Sequence, residues 1–357
     1  MTTIPIRKAP LAHGTRRLPA EWETQSGVMI TWPHRLGDWA AGLAAADPAF
    51  AAIAAAISRH EAVHITAADA EHRRHIEELL DRHGAERTRV RIAIAGSDDV
   101  FVRDHGPITV LTDSGPLLLN FRFNGWGGKY RHAQDDALTR ALAAQGWFGA
   151  TPTLDVDLVL EGGSIESDGE GTLLVTQSCL LAPSRNPTLT PAEIEERLRM
   201  ELGAKRVLWL HNGYLAGDDT DGHIDTLARF CDAQTIAYVQ CPDRGDEHYA
   251  ALKAMEDELK ALRTAGGAPY RLAALPWPAA KLDADGERMP ATYANFLIIN
   301  GAVLVPTYAD RADAQALQVL ATCFPGRAVI GIDCLSLIHQ HGSLHCATMQ
   351  LPQGVIP

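Results

Sequence analysis

The sequence predicts an α/β fold assembled from small ββαβ modules, and three observations predict it. Strand-length runs of aliphatic and β-branched residues recur along the 357-residue chain. Longer helix-forming stretches fall between them. The short runs arrive in pairs or triplets before a helix, whereas a strictly alternating βα chain would build a doubly wound sheet. Roughly five ββαβ modules fit this length, although no repeat in sequence relates one to another. Spacing by itself leaves the doubly wound sheet as a rival.

The elements follow in order. Gly27–Trp32, Ala62–Ala67 and Val90–Ala95 read as strands, with helices over Asp47–Arg59 and Ala70–His83 between them. Ile108–Leu111 and Leu117–Phe123 form the next strand pair, followed by a helix over Gln134–Gln145. Leu158–Leu160, Ser164–Ser167 and Leu173–Val175 come next. A helix over Thr190–Leu202 then opens with a threonine cap, proline at its first position and Glu193 at its third. Strands Arg206–Leu210 and Ile236–Val239 precede a helix over Asp246–Ala265, and Leu272–Ala274 follows it. Phe296–Asn300 and Ala302–Pro306 pair before the helix Arg311–Phe324, and Ala328–Ile332 is the last predicted strand.

The chain is 46% hydrophobic and 21% charged, a globular balance with enough apolar residues for a large core or two domains. No low-complexity linker divides it. A net charge of −12 argues against nucleic acid as a partner, since phosphate binding wants a basic face, and suits a small cationic ligand. Met1–Leu18 carries scattered bases without the apolar segment of a secretory leader. No run reaches the ~20 apolar residues that span a bilayer, and the nearest, Ala40–Ile57, is interrupted by Asp47 and Pro48. No membrane association is therefore expected. The six cysteines are widely spaced and contain no C-x-x-C pair, which excludes a dense disulfide scaffold and a zinc ribbon. The reducing cytoplasm is the expected setting.

Four motifs carry chemistry. Cys346 lies in His-Gly-Ser-Leu-His-Cys-Ala-Thr, eleven residues from the end of the chain, with an extended tail expected after it. A lone cysteine is most often a small buried hydrophobe. Flanking glycine, serine and histidine make this one a candidate nucleophile, provided that a base or positive charge generates its thiolate. Asp218–Asp225 surrounds His223. It misses the calcium-loop pattern, because Gly217 and Ala228 stand where that loop needs oxygen ligands. A transition-metal site would lack a second histidine at helical spacing. Acid–base work remains, with Asp225 two residues on and expected on the same side of a strand as His223. Asp104 in Arg103-Asp104-His105-Gly106-Pro107 reads either as a surface turn or as part of a site. Glu161-Gly162-Gly163 reads either as a turn or as a place where glycines admit a ligand close to the backbone.

Together these motifs resemble the agmatine deiminase family, within the guanidine-modifying enzymes that also include the bacterial peptidylarginine deiminases. The matching residues are Pro19-Ala20-Glu21-Trp22-Glu23, Thr31-Trp32-Pro33, Val102–Pro107, Asn124-Gly125-Trp126-Gly127-Gly128, Leu160–Ile165, Gly169–Thr172, Ser184–Pro187, Asp218–Asp225, Ala294-Asn295-Phe296 and His345-Cys346. The resemblance implies a single catalytic domain over 1–357, a five-bladed α/β propeller of ββαβ modules with pseudo-fivefold symmetry and a central site. It implies Cys346 as nucleophile and His223 as general acid and base. Glu161 would support His223 and face the guanidinium, whose nitrogens Asp104 and Asp225 would grip. Trp126, Asn295 and Phe101 would complete the substrate pocket. No metal or organic cofactor is implied, and a homodimer is.

The chemistry is self-consistent. A guanidinium is planar, delocalised and a poor electrophile. Carboxylates bonded to its nitrogens would fix its plane and hold its carbon over a sulfur. The same carboxylates should push the Cys346 thiol up, so the ligand's own charge would help to form the thiolate. Three departures from the family pattern stand out. Phe101 replaces tryptophan, Asp221 replaces asparagine before Gly222-His223, and His341-Gly342-Ser343-Leu344 replaces a glycine-rich run ending in Asn-Ile. Phe101 and 341–344 bear on tail recognition, so guanidine chemistry is expected more firmly than agmatine. Deimination of peptidyl-arginine or another guanidino compound, amidino transfer, a metal hydrolase and an inactive cation binder are the alternatives.

Overall fold

The computed structural model describes residues 15–356. The segment Met1–Leu18, read above for a leader, lies mostly outside that range. Five small sheets carry the fold, and each contains an antiparallel pair followed by a parallel strand reached through a helix. Ile108–Thr112, Gly115–Arg122 and Thr153–Val159 make one, with the helix Ala133–Ala144 as the crossover. Ile165–Ser167, Thr172–Thr176 and Arg206–Leu210 make the next, crossing through Pro191–Leu202. Ala228–Asp232, Thr235–Val239 and Arg271–Leu275 use Tyr249–Ala261. Leu297–Ile299, Ala302–Thr307 and Ala328–Asp333 use Asp313–Cys323.

The remaining sheet joins the two ends of the chain. Thr348–Pro352 pairs antiparallel with Gln25–Thr31, which continues in parallel to Ala62–Ala67 and Val90–Ile94. Its central strand is buried on both faces. Val28 and Ile30 enter one apolar cluster, and Met29 between them enters the other, the period-two alternation of a strand. Burial on both faces explains the continuous apolar run that marks this strand in the sequence.

Local chemistry accounts for the helix ends. Thr190 and Glu193 form the expected capping box, with Glu193 N donating to Thr190 Oγ1 and Thr190 N to Glu193 Oε2. Asp69 caps Ala70–Arg82 by accepting from His72 N. The first helix starts earlier than expected, running Leu43–Ser58 through Pro48. Asp47 is not its cap, because its carboxylate accepts from Trp32 Nε1 at 2.8 Å and meets His75 Nε2 at 2.6 Å.

Two strands escaped the sequence reading. Ala228–Asp232 contains Arg229, a residue that a pattern rule assigns to solvent. It is fully buried here, paired with Glu21 and Glu166. Thr348–Pro352 contains a glutamine and ends in proline, yet it finds a partner 320 residues earlier in the chain, where Gln350 faces Val28 across the pair and Met349 faces Met29. A short hairpin, Lys281–Leu282 with Arg288–Met289, was also missed.

The connections between sheets matter most. Residues 95–107, 160–164, 211–227, 276–296 (which include the short hairpin) and 334–347 each lead into the first strand of a sheet. They carry, in turn, Asp104, Glu161 with Gly163, His223 with Asp225, Asn295, and Cys346. Among the described residues no helix is long and apolar enough to cross a membrane.

Candidate active site

Asp104 sits in a one-turn helix, Val102–His105, and is buried. It is therefore no surface turn. Its Oδ2 accepts from Trp126 Nε1 at 2.9 Å and its Oδ1 from Gly163 N at 2.9 Å. The indole is aimed by an unusual backbone. Gly125, Trp126, Gly127 and Gly128 all have positive φ, from 53° to 88°. Such a conformation is strained for a bulky residue and persists where the surroundings fix it. Asn124 holds this turn by accepting from Gly127 N at 2.9 Å.

Gly163 is the point of closest approach. A Cβ there would lie 2.7 Å from His223 Nδ1, 2.8 Å from Asp104 Oδ1 and 3.0 Å from Asp225 Oδ2. Only glycine fits where three functional side chains converge, which is the physical content of the Glu-Gly-Gly motif. Glu161 is fully buried, and both its oxygens accept from Arg185 Nε, at 2.8 and 3.0 Å. Arg185 Nη1 in turn donates to Asp221 Oδ2 at 2.5 Å. Asp221 has φ +66°, a left-handed value that asparagine and aspartate tolerate, and it also binds Lys129 at 2.9 Å.

His223 and Asp225 do not share a strand as expected. They open and occupy a 3-10 turn, Ile224–Thr226, whose tighter winding brings Asp225 to Gly163 and leaves the ladder to begin at Ala228. The loop before it is built by Asp218, which accepts from Thr220 and Gly222, while Thr220 Oγ1 accepts from His223 N. His223 is fully buried and neither ring nitrogen has a hydrogen-bond partner. Its Nδ1 lies 3.6 Å from Asp104 Oδ1.

Cys346 lies on the turn that feeds the last strand. Asn295 Oδ1 accepts from the backbone N–H of His345 at 2.8 Å and of Cys346 at 3.3 Å, and Asn295 Nδ2 lies 3.3 Å from Cys346 Sγ. Asn295 therefore fixes the cysteine turn. The sulfur lies 3.8 Å from Asp225 Oδ2. His345 touches two acids, with Nδ1 2.7 Å from Asp225 Oδ2 and Nε2 2.7 Å from Glu21 Oε2.

The electrostatics divide these groups. Burial pushes the Cys346 thiol well up, and the Asp225 and Asp104 carboxyls add to it. This matches the expectation that the acids oppose the thiolate, with desolvation the larger cause. Burial holds His223 down to about 3, so its ring is neutral in the free protein. Burial, then the charge of Asp225, raises Asp104 well above the usual carboxylate range. Burial also raises Glu161, against the pull of Arg185. Asp225 is the exception. Burial pushes it up too, but the His345 hydrogen bond and the charges of His345 and Arg229 outweigh that, leaving it low.

A cavity reaches Cys346 from the surface. Asp104, Phe101 and Trp126 line it beside the sulfur, and Asp38, Asp99, Asp218 and Asp219 line it as well. Phe101 packs against Gly342, where a Cβ would meet its ring at 2.4 Å. The departures at 101 and 342 are thus one contact. Glu161, Cys179 and His223 offer donor atoms within 4.8 Å of one another. Both Glu161 oxygens are already committed to the Arg185 guanidinium, whose charge opposes a divalent cation there. Sequence reasoning assigned no role to Glu21 or Arg185, read Gly163 only as a glycine that could admit a ligand, and read His345 only as a neighbour of Cys346, although each lies inside a quoted motif.

The fold and site define a class: an α/β protein in which a neutral imidazole and paired carboxylates converge on one glycine beside a buried thiol. The sequence model of the Porphyromonas-type peptidyl-arginine deiminase family matches residues 17–352. An agmatine deiminase of Stutzerimonas stutzeri is 34% identical over 358 residues, covering 94% of this chain and 95% of its own. The agmatine deiminase of C. jejuni, solved as a cysteine-to-serine variant with substrate bound, superposes with a TM-score of 0.89 at 32% identity, covering 98% of this chain and 99% of its own. A Porphyromonas gingivalis structure provisionally named an arginine deiminase has a TM-score of 0.89 at 49% identity, covering 96% and 100%. The chain belongs to the agmatine deiminase family.

Proposed function

We propose that this protein is an enzyme that hydrolyses agmatine to N-carbamoylputrescine and ammonia through a covalent intermediate on Cys346. The family relationship carries the reaction class. The acidic cavity mouth, with Asp38, Asp99, Asp218 and Asp219, carries the choice of agmatine. Agmatine ends in an ammonium, which this mouth attracts, whereas free arginine brings a carboxylate that it repels. The five sheets, each delivering a connection to one centre, support a single-domain five-bladed propeller with the site on its axis. A homodimer in the cytoplasm is the setting the resemblance implies.

Asp104 and Asp225 bond the guanidinium nitrogens and Glu161 faces them, fixing the plane of the substrate. The incoming charge offsets the carboxylates that hold the thiol protonated, and the thiol proton passes to His223. Cys346 Sγ then attacks the guanidinium carbon. The bond to one terminal nitrogen breaks as His223 protonates it, and ammonia leaves. An S-alkylthiouronium remains. His223 deprotonates a water that attacks the same carbon, and the C–S bond breaks with the sulfur leaving as thiolate. The added hydroxyl gives up its proton to solvent as the ureido carbonyl forms, and His223 returns its proton to the sulfur. Two easier displacements replace one difficult one.

A second reading follows from the 49% identity to the provisionally named arginine deiminase. The deciding experiment is a product assay on wild type and Cys346→Ala with agmatine, arginine and a blocked arginine peptide, scoring ureido product and ammonia. The expected result is turnover of agmatine, absent in the variant. Turnover of arginine or peptide without agmatine overturns the substrate and keeps the chemistry. Amidino transfer would give amidinated amine without ammonia.

A further inference from the structure

His345 and Cys346 are neighbours in sequence but face different cavities. Cys346 lines the one that opens at the acidic mouth, and His345 lines another, of ≈ 50 Å³, together with Glu21, Arg103, Glu166 and Gln350. That volume holds a few waters. His345 is 2% exposed, and a carboxylate oxygen stands 2.7 Å from each of its ring nitrogens. A carboxylate accepts and cannot donate, so both nitrogens must donate for the two contacts to be hydrogen bonds. Only the imidazolium does that.

The surroundings balance this charge. Glu21 also accepts from Ile298 N at 2.7 Å and Arg229 Nη2 at 3.0 Å, and it faces Arg103 Nη2 at 3.6 Å. Arg229 Nε donates to Glu166, and Arg103 Nε donates to the His345 carbonyl at 3.3 Å. Three cations (Arg103, Arg229, His345) thus meet three anions (Glu21, Glu166, Asp225), with Cys346 and Asp104 beyond Asp225. The cluster is neutral only when Asp225 is ionised. Asp225 Oδ2 is held by His345, while its Oδ1 is buried without a partner. One oxygen is anchored and the other is unpaired.

We propose that His345, kept protonated by Glu21, is a positioning residue that fixes Asp225 as a carboxylate with Oδ1 free for the guanidinium. The inference rests on the proposed function for the identity of that ligand, and its first test does not. Nitrogen-15 NMR of the full chain without ligand, with the His345 signals assigned by their loss in His345→Gln, is expected to show a proton on both ring nitrogens, as two hydrogen bonds to two carboxylates require. A bare ring nitrogen at neutral pH overturns the proposal even if agmatine is the substrate.

The second test is kinetic. His345→Gln is expected to raise KM roughly 10- to 100-fold, the loss of a charged hydrogen bond, with less effect on kcat. The acid limb of kcat/KM should move to higher pH, because Asp225 then protonates more readily. Glu21→Gln keeps an acceptor without the charge and should move the limb the same way by less. Variants that melt earlier while the acid limb stays in place would assign His345 a structural role and overturn the proposal. Failure of every guanidine to react, with the NMR result as expected, would refute the function and leave the ring state standing.

Discussion

Asp104 and Asp225 flank the same Gly163 and are held in opposite ways. Both are buried, and burial pushes both upward. Asp104 has only neutral donors, the Trp126 indole and the Gly163 amide, and stays high. Asp225 has His345, and behind it the Glu21 cluster, and stays low. Two bare carboxylates beside a thiol would be unstable in a site with no ligand. The site holds one low and the other high, and under the proposed function the second would ionise as the cationic substrate arrives. Two titratable groups driven apart by their surroundings mark a division of labour.

The sharpest way to break this comparison is to neutralise each acid in turn. Asp225→Asn should lower kcat/KM for agmatine by about 10³-fold or more, since it removes a carboxylate proposed to grip the guanidinium and one of the two anions that balance the buried His345. Asp104→Asn should cost less, about 10²-fold, the removal of one charged contact to substrate. Equal losses would mean that the two sides are equivalent. Melting temperature against pH separates them further. The raised Asp104 favours the fold below the ordinary carboxylate range, and that contribution is lost as pH rises. Asp104→Asn should therefore melt higher than wild type at neutral pH. The depressed Asp225 contributes above that range and loses its contribution as pH falls through its lowered value. Asp225→Asn should melt lower at neutral pH, with the difference shrinking in acid.

Gly163→Ala tests the geometry that brings the two sides together. Its Cβ would press on His223, Asp104 and Asp225 at once. A displacement of this kind is expected to lower kcat/KM by about 10²-fold. Activity close to wild type would show that the three side chains have room to move, and would remove the reason for glycine.

Much of this was legible in sequence, for identifiable reasons. Strand-length apolar runs located both strands of three of the five antiparallel pairs and one strand of each of the other two, because both faces of these strands are largely buried. Cys346, His223, Glu161, Asp104 and Asp225 could be singled out as candidates because reactive residue types stand near turn glycines, and it was the family resemblance that gathered them into one expected site. The cluster beneath Asp225 was not. Arg229 lies in a strand that its own charge disguised, and Glu21 meets His345 across 324 positions in sequence. Reading such a pair requires the tertiary fold, since nothing local to Glu21 signals a buried charge. The expected strand through His223 and Asp225 failed because two residues apart on a 3-10 turn also bring side chains to one place.

The smallest expected effect isolates the Asp104 side. Trp126→Phe keeps the ring that packs edge-on against Phe123 and Phe101 and removes only the N–H bonded to Asp104. A neutral hydrogen bond contributes about 1 kcal/mol, so a loss of roughly fivefold in kcat/KM is expected. Asp104 then has one donor fewer and should protonate still more readily, which moves the acid limb of kcat/KM to higher pH. The His345 ring signals should not respond, because Trp126 touches nothing in the Glu21 cluster. A shift in those signals would mean that the two acids are coupled through more than their shared ligand, and the two sides would have to be treated as one network.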